Sequence, residues 1–178
     1  VGTGKTIVSL IAASNVISCN FQVALMAPTE ILARQHYNLV NKILKSLKIN
    51  SALLTGKTKP KDRKKILYNL EIGNINFLIG THAIFQKKIK FKKLGLAIID
   101  EQHKFGVKQR MELSNKGGKN CDILLMSATP IPRTLIMAVY GDMDVSRIIE
   151  KPKNRKEIIT VSKPEEKIEE VLLFIKKQ

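Results

Sequence analysis

The chain begins with Val1-Gly2-Thr3-Gly4-Lys5-Thr6, which matches the closing residues of the phosphate-binding loop pattern G-x-x-x-x-G-K-[ST]. Backbone N–H groups of such a loop cradle phosphate oxygens at the start of the following helix. We therefore predict that Gly2 to Thr6 bind a nucleotide, that Lys5 neutralises its β and γ phosphates, and that Thr6 binds Mg²⁺. Because the opening glycine would precede Val1, we expect a fragment that lacks its first strand.

A second motif, the acid pair Asp100-Glu101, follows the apolar run Leu94–Ile99. Such a run predicts a buried strand, and open α/β sheets bind ligands at the carboxyl ends of their strands. Asp100 is suited to holding Mg²⁺, directly or through water, and Glu101 to orienting and deprotonating the attacking water. Taken alone, the pair also suits a helix cap. Together with the loop at Gly4-Lys5-Thr6, it favours nucleotide hydrolysis.

Apolar runs alternate with helical patterns along the chain, which predicts an α/β fold: a doubly wound, mostly parallel sheet with helices on both faces. Strands are predicted at Gln22–Ala27, Ser51–Leu54, Phe77–Gly80, Leu94–Asp100, Ile123–Ser127 and Val145–Ile149. Helices are predicted at Lys5–Ile17, Glu30–Leu47, Asp62–Leu70, Val107–Asn115 and Pro132–Tyr140.

The predicted organisation is one domain over residues 1–150, a linker over 151–156 and the start of a second domain over 157–178. The linker prediction rests on Pro152-Lys153-Asn154-Arg155. A strand is predicted at Glu157–Val161 and a helix at Pro164–Lys177. This tail is too short to form a core alone.

Amino-acid composition restricts the kinds of protein that this chain can be. Of the 178 residues 44% are hydrophobic, and the net charge is +16. No apolar run approaches the roughly 20 residues of a membrane helix, so we expect a soluble cytoplasmic protein. Cys19 and Cys121 form no motif and are expected to be buried thiols. The charge favours nucleic-acid partners, although a solvated lysine surface explains it equally well. A basic nucleic-acid-binding module without catalysis is therefore the alternative.

Polar turns follow several predicted strands. Small residues and hydroxyl groups there suit contacts to a nucleic-acid backbone without sequence readout, and strand ends also carry such residues for turn formation. The candidates are Pro28-Thr29, Thr55-Gly56 and Gly80-Thr81-His82. Ser127 and Thr129, after another strand, are expected to sense the nucleotide through the segment 100–103. The three histidines, His36, His82 and His103, lack metal-ligand spacing and are interpreted as polar contacts or solvated residues.

The order of these motifs resembles the first motor domain of the superfamily-two helicases. Four longer stretches, 27–36 (APTEILARQH), 100–110 (DEQHKFGVKQR), 128–134 (ATPIPRT) and 141–146 (GDMDVS), resemble the RecG-like branch of bacterial ATP-dependent DNA helicases. The transcription-repair coupling factors share Pro-Ile-Pro-Arg-Thr but usually carry a second Glu at the position of Gln102. They are the alternative family.

The resemblance implies a RecA-like fold, ATP and Mg²⁺ as cofactors, and a monomer that acts on forks and Holliday junctions in recombination and repair. It also implies that ATP lies between two motor domains, so this fragment alone is expected to be inactive. DNA contacts are expected from the polar turns and from Arg34. The residues expected to couple hydrolysis to movement are Gln102, His103, Ser127, Thr129 and Arg133.

Overall fold

The computed structural model describes residues 3–86, 88–101, 121–129, 144–149 and 160–176. The strands are β1 (Gln22–Met26), β2 (Ser51–Leu54), β3 (Phe77–Gly80), β4 (Leu94–Asp100) and β5 (Asp122–Met126). The α-helices are α1 (Lys5–Ser18), α2 (Glu30–Leu44), α3 (Pro60–Glu71) and α4 (Ile168–Lys176), and short 3-10 helices span Lys45–Leu47, His82–Phe85 and Glu165–Lys167.

The described strands form one parallel sheet in the order β2-β3-β1-β4-β5. Every residue of the three central strands, β3, β1 and β4, is buried, as their apolar runs predict. Since all strands run the same way, their carboxyl ends share one edge, called the carboxyl edge below. The opposite edge is called the amino edge.

Helices cover both faces of the sheet. On one face, Leu10 and Ala13 of α1 and Ala33, Val40 and Leu44 of α2 pack with β1, β3, β4 and β5. On the other, Leu70 of α3 joins the inward side chains of the same sheet. This arrangement confirms the predicted doubly wound fold.

Local chemistry explains where the helices begin. Thr29 caps α2 in an extended conformation, and its hydroxyl accepts a hydrogen bond from Leu32 N–H at 3.3 Å. Pro60 lies in the first turn of α3, where its missing N–H costs nothing. The predicted α2 ended at Leu47, but its last turn tightens into the 3-10 helix Lys45–Leu47, as helix ends often do.

Two predictions are corrected by the structure. Residues 145–149 form no strand, and Ile149 is 85% exposed. An apolar run becomes a strand only where a neighbour pairs with it. The cysteines are not both buried, because Cys19 is exposed and Cys121 is half-buried. Partial burial, and next the Asp122 carboxylate, raises the pKa of the Cys121 thiol from 9.0 to about 11, so this thiol is protonated at neutral pH.

The chain divides into the compact units Val1–Ile148 and Ile149–Gln178. In the second, residues 160 and 161 belong to no strand, and the helix predicted at Pro164–Lys177 is the 3-10 turn plus α4. The predicted helices Val107–Asn115 and Pro132–Tyr140, and the linker at 152–155, lie outside the described residues. Among those that are described, no helix is long and apolar enough to cross a membrane.

Candidate nucleotide and nucleic-acid site

The predicted phosphate-binding residues lie at the start of α1. Gly4 is the N-cap with a left-handed φ of 87°, and Lys5 and Thr6 are the first residues of the helix. A Cβ added at Gly4 would meet no atom within 4 Å, so the backbone conformation selects glycine here. The carbonyl of Gly4 accepts hydrogen bonds from Ile7 N–H and Val8 N–H at 2.9 and 3.2 Å. Gly2 lies outside the described residues, and Thr3 precedes the cap.

Asp100 ends β4 at the carboxyl edge and is only 9% exposed. Its Oδ2 lies 2.8 Å from Nε2 of His36, a residue of α2 that is 8% exposed. Its Oδ1 accepts a hydrogen bond from the backbone N–H of Glu101 at 3.1 Å. Since an ionised carboxylate only accepts hydrogen bonds, His36 donates to it through Nε2–H. The carboxylate is thus oriented from two sides.

Glu101 follows the strand with a left-handed φ of 49°, which is uncommon outside glycine. Ala128 N–H lies 3.5 Å from its Oε2, and the adjacent Ser127 and Thr129 hydroxyls lie 2.9 Å apart. Asp100 is also the register partner of Met126. The acid pair and the Ser127–Thr129 turn therefore share one edge, as the sequence predicts.

The residues predicted to contact nucleic acid fall into a buried group and an exposed group. Thr55 and Thr81 are 2% and 7% exposed, and Gly80 is buried, whereas Thr29, Arg34, Gly56 and His82 are exposed. Pro28, between β1 and the cap of α2, is half-buried. All lie in or just after the carboxyl edge. Among the exposed members, Thr29, Arg34 and His82 have side chains able to reach a ligand, and Gly56 offers its backbone.

Packing between neighbouring strands explains why residue 80 is glycine. A Cβ there would collide with the carbonyl oxygen of Leu54 and would lie 2.6 Å from Cγ2 of Ile84. Both approaches are closer than any real contact of a Cβ atom, and one partner is backbone of the neighbouring strand. Close approach of β3 to β2 therefore requires glycine at this position.

Arg34 is held by an acid on its own helix. Its Nε and Nη2 donate to Oε1 of Glu30 at 3.2 and 2.9 Å. Lys57, in the loop after β2, lies 3.7 Å from Oε2 of the same Glu30. Glu30 therefore brings a cation from α2 beside a cation from the neighbouring loop. A phosphate group would meet both cations together after displacing one carboxylate.

The contact between His36 and Asp100 was not predicted from the sequence. His36 was interpreted only as a polar contact or a solvated residue. The available signal was its spacing, since Ala33, His36, Val40 and Leu44 form the buried stripe of α2. The partner, 64 residues further along the chain, leaves no local signal. Gln102, His103 and Arg133 lie outside the described residues.

The donor set fits Mg²⁺. Asp100 and Thr6 offer hard oxygen ligands, and Mg²⁺ is usually held by one or two protein groups together with substrate phosphates. α1, which carries Thr6 and Lys5, packs against β1 and β4. Over the described residues there is no group of three or more His, Cys, Asp or Glu that could hold a metal alone.

Two open clefts, of about 350 and 560 Å³, lie at the amino edge. Gln22, which lines the larger cleft, makes three hydrogen bonds there: its Nε2 donates to the carbonyls of Leu70 and Ile75, and its Oε1 accepts from Lys93 N–H. We place the site at the carboxyl edge instead, because parallel sheets bind ligands there and the candidate residues converge there.

A phosphate-loop lysine and threonine at a helix start, with an acid pair at the end of a parallel strand, define a nucleotide-binding domain of the phosphate-loop class. The family model described as DEAD/DEAH box helicase matches residues 1–138. The chain belongs to this family, and its fold is RecA-like.

Within this family, the chain is similar to the RecG helicases. The chain is 51% identical over 172 residues to the ATP-dependent DNA helicase RecG of Aquifex aeolicus, covering 96% of this chain and 22% of that protein. It is 48% identical over 178 residues to RecG of Thermotoga maritima, covering 100% and 23%. A solved structure of RecG bound to a three-way DNA junction matches at 44% identity with a TM-score of 0.81, covering 98% and 23%. The chain thus spans about a quarter of the length of these relatives.

Proposed function

We propose that this chain is the ATP-binding motor domain of a RecG-like helicase, which uses ATP hydrolysis to move on branched DNA. The observation that carries the proposal is that the sequence motifs meet at the carboxyl edge of the sheet. There the Asp100-Glu101 pair meets the Ser127–Thr129 turn, and α1, which begins with Lys5 and Thr6, packs on the same strand as the acids.

Each residue has a separate role in hydrolysis. Lys5 neutralises charge on the β and γ phosphates, and the backbone around Gly4 receives phosphate oxygens. Thr6 and Asp100 hold Mg²⁺, which, when bound with ATP, supplies positive charge at the phosphate oxygens. Glu101 accepts a proton from the attacking water. Ser127 and Thr129, next to Glu101, report the state of this site to the rest of the motor.

DNA contacts are assigned to the exposed members of the carboxyl edge. Thr29, Gly56 and His82 follow β1, β2 and β3 at the carboxyl edge, and Arg34, within α2, shares Glu30 with Lys57. Contacts of this type go to phosphates and carry no base readout. We accordingly expect affinity that falls steeply with salt and shows little sequence preference. The similar RecG structure is bound to a three-way DNA junction, so branched DNA is the proposed substrate.

Similarity to the family supports a proposal for the domain organisation. We propose that residues 1–150 form the first motor domain and that 151–156 link it to a second one beginning at 157–178. The protein is proposed to work as a monomer in the cytoplasm. The division near residue 148 supports this organisation.

The test uses a full-length protein that carries this chain. ATP turnover is measured without DNA, with linear duplex and with a three-way junction, beside unwinding of the junction. We expect junction DNA to stimulate turnover most. Lys5→Ala should abolish turnover and weaken nucleotide binding, whereas Lys45→Ala, which removes an exposed lysine near the amino edge, should do neither. DNA binding without any ATP turnover would overturn the proposal and favour the non-catalytic basic module, for which the net charge of +16 argues.

A further inference from the structure

We propose that His36 is a positioning residue that orients the Asp100 carboxylate for Mg²⁺ and joins α2 to the nucleotide site. The inference rests on the proposed function, because it assumes that Asp100 faces a metal. His36 has no role in the nucleotide-binding motifs described above, and the inference gives it one.

The contact is buried and specific. Nε2 of His36 lies 2.8 Å from Oδ2 of Asp100, and the two side chains are 10% and 13% exposed. A buried carboxylate needs partners, since leaving its charge unpaired away from water is costly. The N–H of Glu101 supplies one partner at Oδ1. His36 is the side-chain partner at Oδ2, so it restricts the rotation of the carboxyl group.

A purely structural histidine is the competing explanation. His36 lies on the apolar stripe of α2, between Ala33 and Val40, and could simply fill space there. The identity of its partner argues otherwise. On a helix face that otherwise buries aliphatic side chains, the single imidazole points its ring nitrogen at the one carboxylate that ends β4. Residues that hydrogen-bond to a metal ligand typically change metal affinity by about 10–100-fold when removed.

The position of His36 on α2 adds a second consequence. The same helix is capped by Thr29 and carries Arg34, two of the exposed residues assigned to DNA. At 3.6 residues per turn, His36 lies less than two turns from the start of this helix. His36 therefore links the proposed DNA surface to the proposed metal ligand through one element.

The experiment uses the full-length protein with His36→Leu, which fills the space without a donor, and His36→Gln, whose amide nitrogen reaches a similar position and can donate. Asn38→Leu, at an exposed position of the same helix, is the matched control. The affinity for ATP is measured by equilibrium binding with Mg²⁺ and with a chelator, and the Mg²⁺ concentration for half-maximal turnover is measured beside it.

For His36→Leu we expect the half-maximal Mg²⁺ concentration to rise about 10-fold or more, and the gain in ATP affinity that Mg²⁺ provides to fall by the same factor. ATP affinity in chelator should be unchanged. His36→Gln should lie within about 3-fold of the unchanged protein, as should Asn38→Leu. The rescue by Gln separates donation of a hydrogen bond from mere filling of space.

Two outcomes overturn the inference. One is a His36→Leu variant with unchanged Mg²⁺ dependence, whatever its thermal stability, which would make His36 a core residue only. The other is an equal shift in both variants, which would exclude the hydrogen bond as the cause. If the unchanged protein shows no Mg²⁺-dependent ATP binding, the proposed function itself fails, and this result is distinct from the first two.

Discussion

The two edges of the sheet bury polar side chains in different ways. At the amino edge, Gln22 is 4% exposed, uses both amide hydrogens on carbonyls and accepts a backbone N–H with its oxygen. At the carboxyl edge, Asp100 is 9% exposed, and within the described residues its carboxylate contacts His36 and one N–H. A carboxylate has about four acceptor positions. Gln22 makes three of the four hydrogen bonds that its amide can form, whereas Asp100 accepts two within the described residues. We propose that a ligand occupies one of the remaining acceptor positions of Asp100.

The difference gives a criterion for separating structural from functional polar groups. A buried group whose hydrogen-bonding capacity is filled by fixed protein partners contributes to stability. A buried group held in place with capacity to spare is prepared for an additional partner. If the criterion holds, changes at the amino edge should alter stability and leave nucleotide handling intact, and some changes at the carboxyl edge should do the reverse.

The largest expected effect is that of Glu101→Gln. The amide keeps the shape of the side chain and loses the base, so ATP turnover in the full-length protein should fall by about 10²–10⁴-fold, the usual contribution of a positioned general base. ATP affinity should remain within a few-fold. Turnover and equilibrium ATP binding are measured together.

Glu71→Gln is the matched control for this substitution. Glu71 ends α3 near the amino edge and lies 4.0 Å from Lys90 in an exposed ion pair. We expect its removal to leave turnover unchanged. Survival of turnover in Glu101→Gln, or collapse of affinity along with it, would show that Glu101 is not the base.

The second largest effect concerns Gly80→Ala. Its Cβ would collide with the Leu54 carbonyl, so β3 and β2 would have to separate at their carboxyl ends. We expect the free energy of unfolding to fall by about 3 kcal/mol, the upper end for overpacking. Gly56→Ala, where a Cβ meets nothing within 4 Å, should stay within about 0.5 kcal/mol. Urea unfolding of both variants measures the difference, and equal stability would refute the close approach.

Gln22→Ala tests the amino edge directly. It leaves the carbonyls of Leu70 and Ile75 and the N–H of Lys93 without their side-chain partner. We expect a loss of about 2 kcal/mol, within the range for unsatisfied buried groups, and no change in Mg²⁺-dependent ATP binding. Gln35→Ala, at an exposed position, should change stability by less than about 0.5 kcal/mol. Altered ATP binding in Gln22→Ala would break the distinction between the edges.

The sheet was predictable because its central strands are apolar on both faces. The runs at Ser51–Leu54, Phe77–Gly80 and Leu94–Asp100 became strands with the predicted bounds. The same pattern failed at Val145–Ile149, since an apolar run does not reveal whether a neighbouring strand pairs with it. Strand formation depends on that partner as much as on the run itself.

The candidate site was predictable where its chemistry is written in consecutive residues. Gly4-Lys5-Thr6 and Asp100-Glu101 are motifs of this kind, and the structure places them on elements that pack together. The roles assigned to these residues stay predictions. The contact of His36 with Asp100 could not be read in this way, because it joins residues 64 positions apart that meet only when α2 packs on the sheet.

The smallest expected effect is that of Glu30→Gln on DNA binding. Glu30 forms an ion pair with Arg34 and lies 3.7 Å from Lys57. Its carboxylate therefore competes with DNA phosphates for both cations. Its neutralisation should raise the affinity of the full-length protein for junction DNA by about 2–5-fold at low salt and steepen the salt dependence by about one unit of slope. Stability should change little, because exposed ion pairs contribute about 0–1 kcal/mol. Salt titrations of DNA binding give both quantities.

Glu71→Gln again supplies the comparison, because it removes the same charge near the amino edge. If DNA contacts lie at the carboxyl edge, only Glu30→Gln should strengthen binding, and Arg34→Ala should cancel most of that gain. An equal gain from Glu71→Gln would mean that net charge alone governs the affinity. Binding unchanged by Glu30→Gln would remove Arg34 and Lys57 from the proposed DNA surface and leave the exposed turn residues Thr29 and His82 to account for it.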